Sequence, residues 1–257
     1  KEKPKLLHIE KPLCAPDLNG VAAFQKAMKK YKNPIVTVGY DHGVAESVEF
    51  VADLARMGTI GAVNTMDVEF REHWRGIFGA HPWLAGPWDT YLGYWKRGGG
   101  AGGEHSHALH LWQYLAHTIG WGPVQTIKAM FDFKKERKAE YDRIAAFMLK
   151  TKKGGIGRAV QDVVTYPVRK WARIQGDKGY IEWICNGVPE GDLVRYQIEG
   201  QDVVEKVFPK KRPDEFYRET VHYDKLIKGE IKPKDSPLNF DRGLEVMQML
   251  NKAHKSK

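Results

Sequence analysis

Short apolar runs and amphipathic stretches alternate over the first sixty residues. Residues 6–12, LLHIEKP, run from apolar positions into a charged tip, the pattern of a buried strand. Pro16, Asp17 and Asn19 then introduce a helix predicted to reach about Tyr31, with Val21, Phe24 and Met28 on one side. Residues 35–40, IVTVGY, are a second β-rich run. A second helix is expected from about Ala45 to Met57, ended by Gly58. Strand, helix, strand, helix is the grammar of a parallel α/β sheet.

Beyond Gly61 the pattern changes. Residues 62–74, AVNTMDVEFREHW, alternate like a sheet strand. A loop rich in Trp, Pro and Gly is expected over 75–103, then one helix over about 104–119. From Pro123 to Lys210 strand patterns dominate: PVQTIKAMFDF, RIAAFMLKT, GRAVQDVVTYPV, KWARIQG, GYIEWIC, DLVRYQIEG and QDVVEKVF. Turn signals such as KKGG, GDKG and EGQD separate several of them. Two amphipathic helices close the chain, about 213–228 and 239–254, with the last returning to the first region. The reading is an α/β region over 1–61 and an α+β domain with a large, mostly antiparallel open sheet over 62–257. Strands such as VQDVVTY and YIEWIC carry apolar residues on both alternations. That predicts a sheet face covered by a second copy of the chain.

Composition narrows this little. The chain has 257 residues, 42% hydrophobic and 28% charged, as in an ordinary globular protein. No apolar run approaches the roughly 18 residues of a membrane-spanning helix, so no membrane association is expected. The start, KEKPKLLHIEKP, has no apolar core of a signal peptide. Cys14 and Cys185 lie far apart and match no metal spacing. A reduced, cytoplasmic setting is the expectation. The net charge of +9 is spread along the chain, and its densest run, FDFKKERKAEYD, mixes both signs. Such runs are solvated faces, so nucleic acid is not an expected partner.

Candidate chemistry gathers in a few places. Lys11 stands at the carboxyl end of a predicted parallel strand, where open α/β sheets bind ligands. Glu104, His105, His107 and His110 form the densest titratable cluster. On a helix 104, 107 and 110 share a broad face, while His105 diverges from His107. One ion cannot then be held by both histidines, and no metal is expected. The run GGGAGG, 98–103, satisfies G-x-G-x-x-G, but no buried strand precedes it. It reads instead as a glycine turn that lets backbones approach closely. Trp88, Tyr94, Lys96 and Arg97 suit either ligand contact or a packed loop. Arg169, Trp171 and Arg173 alternate onto one strand face, toward a substrate or a subunit interface.

Four segments together resemble the Gfo/Idh/MocA oxidoreductases, the family of glucose–fructose oxidoreductase and inositol dehydrogenase. They are Glu10-Lys11-Pro12 at a strand end, and IVTVGY with a helix closing in Gly58-Thr59-Ile60-Gly61. Then come Gly98-Gly99-Gly100 followed by an acidic residue and a histidine, and finally Ser236-Pro237-Leu238 with Gly243-Leu244-Glu245 and Ala253-His254-Lys255-Ser256. In order, they span essentially the whole chain. The resemblance implies that residues 1–61 are the C-terminal half of a Rossmann domain. About three preceding strand–helix units, with the glycine fingerprint, are absent from this sequence. It implies an NAD- or NADP-dependent dehydrogenase acting on the CH–OH group of a sugar, polyol or sugar derivative. A glycoside-cleaving enzyme that retains its NAD, or a non-catalytic truncated homologue, is the alternative.

The resemblance also implies roles. Lys11 is catalytic, and Glu10, Lys11, Pro12 and Tyr40 lie against the nicotinamide cofactor. His107 accepts the substrate proton, and Glu104 supports it from three residues before, where relatives have an aspartate four before and this chain has Gly103. By their chemistry Trp88 and Arg97 are candidate contacts to a carbohydrate-like substrate, and His110, where several relatives carry aspartate, is a third. Asp41-His42-Gly43 departs from the asparagine and arginine that relatives often carry. Homodimers or homotetramers are the implied assembly.

Overall fold

The computed structural model describes residues 3–31, 34–211 and 213–256. Lys1, Glu2, Lys32, Asn33, Arg212 and Lys257, which the predicted regions include, lie outside the described residues. Strands β1 (Leu6–Ile9) and β2 (Ile35–Val38) pair in parallel, Leu6 opposite Ile35 and Ile9 opposite Val38. Helix α1 (Val21–Lys30) starts later than predicted. Leu18 (φ 62°) and Gly20 (φ 82°) hold left-handed backbone, which a helix cannot contain. Helix α2 (Glu46–Arg56) follows a 3₁₀ turn, Asp41–Val44, and stops at Gly58 (φ 71°) as expected.

β3 (Val63–Arg71) leads into the large sheet. The expected loop over 75–103 holds α3 (Arg75–Ala80), three 3₁₀ turns and the start of α4 (Gly100–Glu104). The single helix predicted over 104–119 is two, because α4 ends at His105–Ser106 before α5 (His107–Thr118). The glycine run explains the close packing here. A Cβ on Gly99 would lie 2.3 Å from the Tyr91 carbonyl. The Gly102 amide donates to Asp142 Oδ2 at 2.6 Å. The protein's own carboxylate takes this amide, so the run is a packing turn and no phosphate cradle.

The remaining strands are β4 (Val124–Glu136), β5 (Ala139–Thr151), β6 (Ile156–Asp162), β7 (Arg169–Gly176), β8 (Gly179–Val188), β9 (Gly191–Ile198) and β10 (Val204–Pro209). The eight-stranded order is β10-β9-β8-β7-β3-β6-β5-β4, antiparallel except for β3 with β6. Helices α6 (Asp214–Lys228) and α7 (Phe240–Lys255) close the chain.

One face of the sheet carries the core. Ala172, Ile174, Ile181, Trp183 and Val194 are buried beneath α2 and α5. Polar anchors fix the layers: Trp112 Nε1 donates to the Met66 carbonyl (3.0 Å), and Ser47 bridges Asp192 (2.6 Å) and Trp183 Nε1 (2.9 Å). The closing helix returns to the first region as predicted. Val38 donates to the Leu238 carbonyl at 2.8 Å, and Phe240 and Leu244 pack on Val36. The main apolar cluster runs from Val38 and α2 into the large sheet without interruption.

The open face differs from expectation. Its centre is charged. Register sets Arg158, Asp67, Arg173, Glu182, Arg195 and Glu205 side by side across six strands, with signs alternating. Opposed charges directly across a strand pair attract, so the charges at the centre of this face are paired within the sheet. Exposed apolar residues concentrate toward β4–β6: Met130 (80% exposed), Met148 (53%) and Ile156 (46%). Arg169, Trp171 and Arg173 lie on this open face; Lys170 between them faces the other way.

Candidate active site

A cavity of about 650 Å³ opens where β1 and β2 end, lined there by Glu10, Lys11, Gly39, Asp41 and His42. Glu104 and His107, at the break between α4 and α5, form a second wall. Lys170 of β7, Cys185 of β8, and Lys210, Glu215 and Glu219 on and before α6 complete it.

Lys11 and Glu104 are the best-defined pair. The Lys11 ammonium donates to the Glu104 carbonyl at 2.8 Å and lies 2.9 Å from its carboxylate. Burial alone would raise the Glu104 carboxyl, but the adjacent Lys11 charge brings it below the usual carboxylate range. Glu104 therefore holds Lys11 and is not the partner of His107.

His107 instead faces Asp41, with Nδ1 3.7 Å from Oδ1. Its ring stacks on Phe70 at 5.6 Å and lies 5.1 Å from the His42 ring. Burial, reinforced by Lys11 and His42, drives its pKa well below the ordinary histidine value. Burial likewise lowers His42. Both imidazoles are neutral at neutral pH and offer lone pairs. His42 Nδ1 lies 3.6 Å from Glu215 Oε1.

Around them the lysines are engaged. Lys170 pairs with Glu72 at 3.2 Å. Lys210 reaches Asp192 (2.7 Å), Glu215 (2.6 Å) and Cys185 Sγ (3.2 Å). Burial pushes the Cys185 thiol up to about 12, so it stays protonated. Cys14 and Cys185 are both free.

Of the residues singled out in the sequence, Glu10, Lys11, Glu104 and His107 meet in this cavity. Five others lie outside its lining, and burial corrects two of them, Tyr40 and His110. Tyr40 is wholly buried, its hydroxyl 3.3 Å from Ser106 Oγ, so its side chain does not line the cavity. Pro12 packs at Gly98, where a Cβ would come within 2.9 Å of its Cγ, outside the cavity lining. His110 is 1% exposed, stacks on Tyr40 at 4.2 Å, and donates from Nε2 to the Pro237 carbonyl at 2.8 Å. It is a packing histidine, turned from the substrate side by the break before α5. Trp88 lies under the Arg137 guanidinium at 3.9 Å, and its carbonyl accepts from Tyr94. Arg97 is exposed and stacks on Tyr94 at 4.5 Å. Both lie in the loop between α3 and α4, outside the cavity lining.

Sequence reasoning gave no role to Lys170, Cys185, Lys210 or Glu215, which the fold brings in from the far half of the chain. One signal was available: if Arg169, Trp171 and Arg173 share a face, Lys170 lies on the opposite one.

A large open sheet with helices on one face and a polar cavity at its end defines an α+β domain of recognisable type. The family model of the GFO/IDH/MocA C-terminal domain matches residues 48–182, over half of the chain, and the chain belongs to the Gfo/Idh/MocA family. No curated protein matches its sequence. Among solved structures, the aldose-aldose oxidoreductase of Caulobacter crescentus, complexed with glycerol, is similar at TM-score 0.75 and 20% identity, over 97% of this chain and 69% of that one. An inositol dehydrogenase homolog from Azotobacter vinelandii, complexed with NADH and myo-inositol, gives 0.69 and 16% over 97% and 68%. The WlbA dehydrogenase of Bordetella pertussis, in complex with NADH and UDP-GlcNAcA, gives 0.66 and 19% over 97% and 68%. At these identities the likeness is one of fold.

Proposed function

We propose that the chain is the substrate-binding and proton-handling part of an NAD- or NADP-dependent oxidoreductase acting on a secondary alcohol of a sugar, polyol or sugar derivative. The observation that carries this is the meeting of the Lys11 ammonium and the neutral His107 imidazole in one cavity at the ends of two parallel strands. The cavity volume suits a small ligand. Most of its charged side chains pair with one another, which favours an uncharged, hydroxyl-rich substrate over an anion.

Residues 1–61 are read as the C-terminal half of a Rossmann domain. Among the described residues β1 pairs only with β2, leaving its other edge free. Beside it Leu7, Phe24, Met28 and Tyr31 line an apolar groove. Preceding strand–helix units would cover both. The nicotinamide end of the cofactor fits at Glu10, Lys11 and Gly39. A Cβ on Gly39 would come within 3.1 Å of both the Glu10 carboxylate and the His8 ring, so glycine keeps that strand end open. When bound, the nicotinamide supplies the hydride acceptor.

The chain's own residues handle the proton. Lys11, held by Glu104, donates a hydrogen bond to the substrate oxygen and stabilises negative charge developing there. A neutral imidazole carries one proton. With that proton on His107 Nδ1, toward Asp41, Nε2 is the acceptor for the hydroxyl proton. The setting is read as cytoplasmic; no helix among the described residues is long and apolar enough to cross a membrane.

The test is to express the chain with the reading frame that precedes Lys1 and to supply sugars and polyols with NAD or NADP. Substrate-dependent formation of reduced nicotinamide is expected. Absence of nicotinamide binding would overturn the reading. Glycoside cleavage without net reduction would replace it with the glycoside-cleaving alternative.

A further inference from the structure

We propose that Lys170 and Glu72 form the recognition site for a second hydroxyl of the substrate, beside the one that reacts. The ligand class is a polyol or sugar with at least two hydroxyls. That class rests on the oxidoreductase reading, whereas the two residues are fixed by geometry.

The sheet sets the pair beside the reaction centre. In the register of β7 on β3, Lys170 lies directly opposite Phe70. The His107 ring stacks on that same Phe70 at 5.6 Å. Glu72 stands just past the end of β3, two residues after Phe70, so strand alternation brings it to the same face. Both residues line the cavity. Burial sets the low pKa of His107 and of His42, and the Lys170 charge adds to it in both. A substrate whose reacting hydroxyl meets His107 therefore has its next groups beside Lys170.

Counting donors separates the lysines of the cavity. An ammonium has three N–H donors. Lys210 uses all of them, on Asp192, Glu215 and Cys185. Lys11 uses two, on the carbonyl and the carboxylate of Glu104, and keeps one for the reacting oxygen. Lys211, exposed at the rim, keeps its donors in water. Lys170 has one partner among the described residues, Glu72 Oε2 at 3.2 Å, and keeps two donors. Its side chain is 24% exposed. Burial alone would lower the Lys170 ammonium, but Glu72 holds it above its ordinary value, so it stays charged. Largely buried donors are nearly always matched, so these two point to acceptors on a bound ligand.

Glu72 supplies the complement. Its Oε2 faces Lys170, while Oε1 lies beside Gly76, where a Cβ would come within 2.9 Å of it. Glycine at 76 keeps that oxygen uncovered. A hydroxyl both accepts and donates, so it can accept from Lys170 and donate to Glu72 Oε1. An ether or carbonyl oxygen only accepts, and a ligand carboxylate is repelled by Glu72. The pair therefore selects a hydroxyl.

The experiment uses the protein expressed with the reading frame that precedes Lys1, and glucose, galactose, xylose and myo-inositol as probes. Turnover with NAD or NADP and binding by ligand-observed NMR are both measured, and the best probe is then compared with its monodeoxy analogues. At least one analogue that keeps the reacting hydroxyl should lose about 10–100-fold in kcat/KM or affinity on the unmutated protein, which no variant's folding can affect. Lys170→Met should lose as much on the parent polyol, chiefly through KM, and nothing further on that analogue, because both changes remove one contact. Lys170→Met combined with Glu72→Gln leaves no unpaired carboxylate and should behave alike. Binding that shows this non-additive pattern without turnover would support the site while overturning the oxidoreductase reading. Analogues all as good as the parent, additive losses, or no binding of any probe would overturn the site.

Discussion

Lys11 and Glu104, 93 positions apart in sequence, meet through two contacts: the ammonium lies 2.9 Å from the carboxylate and donates to the same residue's carbonyl at 2.8 Å. The acidic residue of the α4 helix therefore fixes the lysine and leaves His107 to Asp41. In the chain joined to a nucleotide-binding half, as proposed above, Lys11→Met should lower turnover by about 10²–10⁴-fold. Glu104→Gln should lower it less. The double variant should be no slower than Lys11→Met alone, because both act through one ammonium. Additive losses in this double-mutant cycle would show that Glu104 acts elsewhere.

His107→Asn should lower turnover by about 10²–10⁴-fold while the protein stays folded, since the ring borders a cavity. His105 and His110 are 4% and 1% exposed. Replacing either with Asn should reduce thermal stability more than turnover. Normal turnover in His107→Asn, with loss in His105→Asn, would move the proton acceptor to the other histidine.

His110 supplies a pH dependence of stability. Burial lowers its pKa from 6.5 to about 4. The unfolded chain thus binds this proton more readily than the folded one. The contribution is fully present above about pH 6.5 and is lost as pH falls toward 4. The full effect is of the order of 3 kcal/mol, at about 1.4 kcal/mol per unit. Urea unfolding at pH 7 and pH 4.5 should show a smaller difference in His110→Gln than in the unmutated chain. Equal pH dependence in both would count against a neutral, buried His110.

The expected homodimer or homotetramer would use the open sheet face. Light scattering at micromolar concentration should show more than one chain per particle. Met148→Lys, placed among the exposed apolar residues near β4–β6, should shift the population toward single chains. A monomer before mutation would remove the open face as an interface.

The fold was legible where pattern and local chemistry agree. Alternation placed β3, β-rich runs between turn signals placed β4 to β10, and Gly58 marked the end of α2. Lys11, Glu104 and His107 were legible through motifs at element ends. Tyr40 and His110 misled because their sequence positions lie beside the cavity, whereas stacking on each other turns both rings into the core. The pairing of Glu104 with Lys11 was hidden because helix periodicity joins 104 to 107, and the break at His105–Ser106 ends that periodicity. Lys170, Lys210 and Glu215 were invisible because only the completed sheet and α6 bring them to residues 10–42.

The row Arg158, Asp67, Arg173, Glu182, Arg195 and Glu205 acts as an alignment gauge for the assembling sheet. Exposed pairs of this kind contribute only about 0–1 kcal/mol each to the finished fold. Their larger effect falls on wrong alignments. If β8 slid two residues along β7, Arg173 would face Tyr180 or Ile184, and Glu182 would face Gln175 or Trp171. Each such slip separates opposite charges at one boundary and, if the neighbouring strand moves with it, leaves the correct pairs intact farther out. Errors are thereby confined to single strand boundaries, where one step of sliding restores the match.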